Sequence, residues 1–113
     1  MSTEIIEQAR KLGSMIAQSV QAGKLREAKE ALSKDSAATT LMGDYQKQAM
    51  KVGQLEEQNK PIEVEDKRKL QELQGKLVSM DIFKKFTAAQ VEYIDVMRKV
   101  NEALRKELAG TEE

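Results

Sequence analysis

Seven positions in one stretch, Ala38, Leu41, Tyr45, Gln48, Val52, Leu55 and Asn59, are separated by alternating steps of three and four residues. The same spacing returns 45 residues later at Phe83, Phe86, Gln90, Tyr93, Met97, Val100 and Leu104. A step averaging about 3.5 residues keeps side chains on one side of an α-helix, so each stretch reads as a long helix with one sticky seam that must lie against other helices. Leu25, Ala28 and Leu32 map onto Leu70, Leu73 and Leu77 at the same offset. That suggests two copies of a short-helix, long-helix hairpin, although any two heptad-like helices can be slid into register. No alternating strand pattern competes with the helical one. The fold expected is all-α, a helical bundle of about five helices with long coiled-coil-like members, at roughly 3–20, 24–33, 36–58, 63–79 and 82–108, in a single domain over 1–113. More than about 70% helix is expected, far above the usual third.

Local signals place the breaks. Ser2 or Thr3 can cap a first helix carrying Ile5, Ala9, Leu12 and Ile16, widened by Ile6, Met15 and Val20, and Gly23 can end it. Asp35 or Ser36 caps the third helix. Asn59, Lys60 and the single proline, Pro61, form the strongest turn signal, because proline disfavours helical geometry in the residue before it. Glu63, Glu65 and Asp66 suit the positive start of the fourth helix, and Asp81 is placed to cap the fifth. Gly43, Gly53 and Gly75 fall inside helices, where each costs about 1 kcal/mol relative to alanine; exposed tolerance and a close helix crossing both account for them.

The residues exclude more chemistry than they offer. The chain has no histidine and no cysteine, which removes the commonest general base, the thiol nucleophile and the ligands that soft and borderline metals need. No catalytic residue, cofactor site or metal site is expected. Glu63, Glu65 and Asp66 lack the spaced oxygen ligands of a cation loop and are better explained as a helix start. Nineteen basic and nineteen acidic residues cancel, so no global field gathers nucleic acid or an anionic membrane. Lys67-Arg68-Lys69, Lys84-Lys85, Arg98-Lys99 and Arg105-Lys106 are interleaved with carboxylates, which favours intrahelical ion pairs over a phosphate-binding patch. Residues 1–20 carry Glu4 and Glu7 and no continuous apolar run, so neither a signal peptide nor a spanning helix is expected there. With no cysteine, a reducing cytosol is the expected compartment.

Aromatic content is only 4%. Tyr45, Phe83, Phe86 and Tyr93 are therefore the large anchors, either of a core or of an interface. A fifth helix of about 27 residues, roughly 40 Å long, exceeds what a compact chain of this size covers, so part of its stripe, including Met97, Val100 and Leu104, is expected to meet another chain. Gln48 and Gln90 stand in seams where leucine would be more stabilising. Such a residue either fixes register or sits at a seam edge open to water.

The run Leu25-Arg26-Glu27-Ala28-Lys29-Glu30-Ala31-Leu32, then Asp35, Leu41 and Tyr45, then Gln71-Glu72-Leu73-Gln74-Gly75-Lys76-Leu77, then Ile82, Phe83, Phe86, Ala89 and Gln90 resembles the YlbF/YmcA/YheA family of small bacterial helical proteins. The resemblance covers nearly the whole chain and rests on apolar spacings and helix-rich words. It implies a five-helix, self-associating protein that acts without catalysis in regulation, as the best-known members do in competence, biofilm formation and sporulation through a complex linked to messenger-RNA processing. Met80-Asp81 stands where the family often has Asn-Pro, and the cysteines that hold iron–sulfur clusters in those regulators are absent, so the chain looks closer to a cysteine-free YheA-like branch. The function expected is that of a regulatory or adaptor protein working through protein–protein contacts, as a homodimer or higher homo-oligomer with a further protein partner. A weak RNA-binding module is the alternative.

Overall fold

The computed structural model describes residues 2–110. Five helices account for 91% of them, and no strand occurs among the described residues. They are α1 (Ser2–Ala17), α2 (Val20–Lys34), α3 (Ser36–Glu57), α4 (Val64–Ser79) and α5 (Asp81–Gly110).

The first break differs from the one expected at Gly23, which lies inside α2. The chain turns at Gln18 and Ser19 instead. The Ser19 hydroxyl donates to the Ile16 carbonyl at 2.6 Å and accepts from the Ala22 N–H at 3.2 Å, so one side chain serves both helix ends. The Arg26 guanidinium then donates to the Ala17 carbonyl at 2.8 Å. With orphan groups on both sides of Ser19 satisfied, a helical glycine four residues later is the smaller cost.

Asp35 caps α3 as expected, accepting from the Ala38 N–H at 2.9 Å. At the end of α3, Asn59 takes the left-handed conformation with φ 56°. The Lys60 N–H donates to the Leu55 carbonyl at 2.9 Å and the Asn59 N–H to the Glu56 carbonyl at 3.1 Å, the paired bonds that close a helix before proline. Asp81 is the first residue of α5 and does not cap it. Met80 holds that position, its carbonyl accepting from the Phe83 and Lys84 N–H groups.

The repeat read from spacing has a counterpart in the backbone. Asp35 and Met80, 45 residues apart, are the single non-helical residues at the two corresponding junctions. Their N–H groups donate to Leu32 and Leu77, each at 3.2 Å, and their carbonyls accept from Thr39 and Lys84, each at 3.0 Å. Leu32 and Leu77 are both buried. A Cβ on Gly43, Gly53 or Gly75 would meet nothing within 4 Å, so no close crossing requires these glycines.

The chain divides into two compact units. One holds α1, the first part of α2 and α5 from Thr87 onward; the other is Lys29–Phe86. In the second unit α3 packs on α4, with Leu32, Ala38, Gln48 and Leu77 buried. In the first, the only buried residues among those described are two alanines, Ala22 and Ala89.

Candidate interaction surface

Within Lys29–Phe86 the most constrained polar group is Gln48. Buried on α3, it donates from Nε2 to the Asp66 carbonyl at 2.9 Å and lies 3.4 Å from Asp66 Oδ1 on α4. Lys51 Nζ reaches the same carboxylate at 3.0 Å. The two seam glutamines thus separate: Gln48 is a satisfied core residue that pins α3 to α4, and Gln90 is exposed. The carboxylates at the start of α4 go to neighbouring cations, Asp66 to Lys51 and Glu65 to Arg68 at 3.6 Å. No group of residues able to hold a metal ion occurs among the described residues.

The Asp66 carboxyl is held below its ordinary 3.8 by the hydrogen bond from Lys51; burial pulls the other way, and Gln48 reinforces the lowering. On α5 the Asp95 carboxyl is lowered likewise, first by Arg98 and then by Lys99. A carboxylate whose folded pKa is depressed stabilises the fold above its unfolded value, and that contribution disappears as pH falls through the folded value. Thermal stability should therefore decline as pH falls below the ordinary 3.8 and through the lower folded values, and Asp66→Asn should flatten that decline. Melting curves across this range check it; an unchanged pH profile in the variant would contradict the assignment.

The basic clusters are occupied in part, at Arg68, Arg98 and Lys99. Arg98 binds Asp95 at 2.8 Å and Glu102 at 3.3 Å, Lys99 binds Asp95 at 3.2 Å, and Arg68 lies between Glu65 and Glu72. These are solvated helix faces.

The aromatic anchors fall between core and surface. Tyr45, Phe83, Phe86 and Tyr93 are all half-buried, as are Met97 and Val100. Phe83 and Phe86 form a tilted pair with ring centroids 6.2 Å apart. Leu104 alone among the expected contact residues is exposed, at 50%. It lines a groove with Glu4, Ile5, Glu7, Gln8, Ala9 and Leu12 of α1. The larger exposed apolar surface belongs to residues the seam did not include. Ile5, Ile6 and Met15 on α1, Val20 at the start of α2, and Val91, Ile94 and Leu108 on α5 are all exposed. α1 has no buried residue at all. The unit that buries only alanines is thus the one that exposes most of the large apolar side chains, against Met50, Val64 and Val78 in the other. No described helix is long and apolar enough to cross a membrane.

A family model described as control of competence regulator ComK, YlbF/YmcA, matches residues 5–109. The chain belongs to the YlbF/YmcA family. It is similar to a UPF0342 protein of Desulfitobacterium hafniense, 26% identical over 110 residues that make up 97% of this chain and 84% of that protein. Its fold is similar to that of a chain in the crystal structure of Bacillus subtilis RicA in complex with RicF. The TM-score is 0.88 at 21% identity, with 100% of both chains covered. The family assignment agrees with the five-helix architecture and the helix-rich words that carried the resemblance.

Proposed function

We propose that this protein is a non-enzymatic regulatory adaptor of the bacterial cytoplasm that works through protein–protein contacts, self-associating as a homodimer or higher homo-oligomer and engaging a further protein partner. The observation that carries this reading is the uncovered apolar surface of the unit formed by α1 and the later part of α5. An amphipathic helix without one buried residue gains little from its own chain, and soluble monomers rarely leave large apolar patches without a use. Membership in a family of regulators supports it, as does the fact that a protein of the same fold was solved as part of a complex of RicA with RicF. RNA-processing or cell-fate control is the setting the family suggests. The zero net charge gives RNA phosphates no general attraction, and Arg68, Arg98 and Lys99 of the basic clusters are already paired with carboxylates.

Light scattering tests the contact. The wild type is expected at twice the 12.7 kDa chain mass or more at micromolar concentration. Leu104→Asp, placing a charge on an exposed position, should reduce the assembly while leaving the helical circular dichroism intact. A wild type that stays monomeric, or an assembly indifferent to Leu104→Asp, would refute self-association through this surface.

A further inference from the structure

A cleft between α3 and α4 gathers cations that the ion pairs of the fold leave over. At 100° per residue Asp44, Lys47, Gln48 and Lys51 of α3 fall within an arc of about 100°. With Lys69 and Leu73, one turn apart on α4, they line a cleft of about 390 Å³, which lies within the roughly 300–1,000 Å³ range of small-molecule sites. Three lysines therefore border one space against a single lining carboxylate. The walls are tied together beside it. Gln48, 5% exposed, donates to the Asp66 carbonyl at 2.9 Å, and Lys51 Nζ lies 3.0 Å from the Asp66 carboxylate. Among the described residues, none of Asp44, Lys47 and Lys69 belongs to an ion pair.

Asp66 balances Lys51, which leaves Lys47 and Lys69 as two uncompensated ammonium groups that repel each other until an anion enters. Their combined charge matches a phosphate monoester, which carries about −1.5 to −2 near neutral pH, and lysine binds phosphate as a point charge without needing a fixed fork. Asp44 repels a second phosphate but accepts from a hydroxyl. It also lines an adjoining cleft of about 400 Å³ together with Thr40, Leu41 and Met80. One side of Asp44 thus suits an anionic head, and the other an uncharged body.

We propose that the α3–α4 cleft binds a phosphate monoester of a hydroxyl-bearing small molecule, of the sugar phosphate class. The phosphate lies between Lys47 and Lys69 beside Lys51, and a ligand hydroxyl donates to the Asp44 carboxylate. A strand of RNA fits this place less well, because no aromatic side chain lines the cleft to stack a base and a carboxylate closes one end of the lysine row. The site lies wholly within Lys29–Phe86 and uses none of the exposed apolar surface of α1 and α5, so it stands or falls separately from the adaptor reading.

Nuclear magnetic resonance titration of the isotope-labelled full chain tests it, with glucose 6-phosphate, ribose 5-phosphate, glucose, inorganic phosphate and a single-stranded RNA oligomer added to separate samples. A sugar phosphate should shift the amides of residues 44–51 and 69–73 saturably, glucose should not, and inorganic phosphate should bind more weakly. Lys47→Gln combined with Lys69→Gln should weaken sugar phosphate binding at least about tenfold, since two charge-assisted hydrogen bonds are lost. Lys84→Gln combined with Lys85→Gln removes the same charge at exposed positions that do not line the cleft and should change the affinity less than about twofold. Asp44→Ala should weaken the sugar phosphates without weakening inorganic phosphate. All of these substitutions fall on exposed residues, so the helical circular dichroism should persist. Failure of both sugar phosphates to bind, or equal losses in the two lysine pairs, overturns the site. Inorganic phosphate binding as tightly as the esters overturns the class of ligand, and RNA binding through Lys47 and Lys69 without either ester overturns the small-molecule occupant.

Discussion

Leu32→Ala and Leu77→Ala are each expected to cost about 2–4 kcal/mol of unfolding free energy, a large share of the roughly 5–15 kcal/mol that holds a domain of this size. Both residues are 6% exposed, and they are the only large apolar side chains buried among the described residues; the others in the core are alanines. No aromatic ring is fully buried beside them; all four are half-buried. The two leucines occupy matching places in the repeat, each just before a junction whose N–H bonds back to it. Truncation leaves a cavity beside a hydrogen-bonded corner that has little freedom to collapse, which puts the cost above simple transfer of the lost carbons. Leu70→Ala and Leu73→Ala, at half-buried positions of α4, should cost distinctly less. Urea midpoints measured on the four variants check the order, and a loss below about 1 kcal/mol at either buried leucine would contradict this account of the core.

The helical architecture was legible because its signals are local and redundant. Asp35 accepts the bond expected of it, and Asn59 takes the left-handed conformation within the expected Asn59-Lys60-Pro61 turn. The misplaced boundaries are those where two local signals compete. Gly23 is a good terminator in isolation, but Ser19 and Arg26 satisfy three backbone groups between them, including one nine residues away from Arg26, and no short-range rule counts that last bond. Asp81 is a reasonable cap by composition, yet Met80 takes the position, with no side-chain oxygen to offer.

Burial was less legible than periodicity. Gln48 and Gln90 obey the same seam rule, and only the partner across from Gln48, Asp66, makes one of them core. The seam on α5 ends at Leu104, which is exposed, as are Ile5, Ile6 and Met15 on the α1 stripe. A stripe on α1 says that a helix face wants cover; it does not say whether the chain itself provides it. The aromatic anchors were attractive as interface residues because of their size. Their half-buried state shows them divided between holding the chain together and facing outward.

Ala38→Glu should separate local from tertiary preference more sharply than any other single change, with an expected loss of about 3 kcal/mol or more. Asp35 is the cap of α3 and Ala38 is the residue whose N–H it accepts from. A glutamate there completes the reciprocal box in which it would reach back to the cap's own N–H, so in an isolated α3 peptide the substitution should raise helix content. In the protein Ala38 is 0% exposed. A carboxylate at that site must either be buried without a partner or push α3 away from its neighbours, and both outcomes outweigh a cap bond worth about 1 kcal/mol. Ser36→Glu, on an exposed residue of the same first turn, gains the favourable helix-end charge without the burial and should be neutral or slightly stabilising. Chemical denaturation of the two variants, set beside circular dichroism of the peptide, decides the matter. If Ala38→Glu leaves stability within about 1 kcal/mol of wild type, the close packing assigned to the α2–α3 corner is wrong.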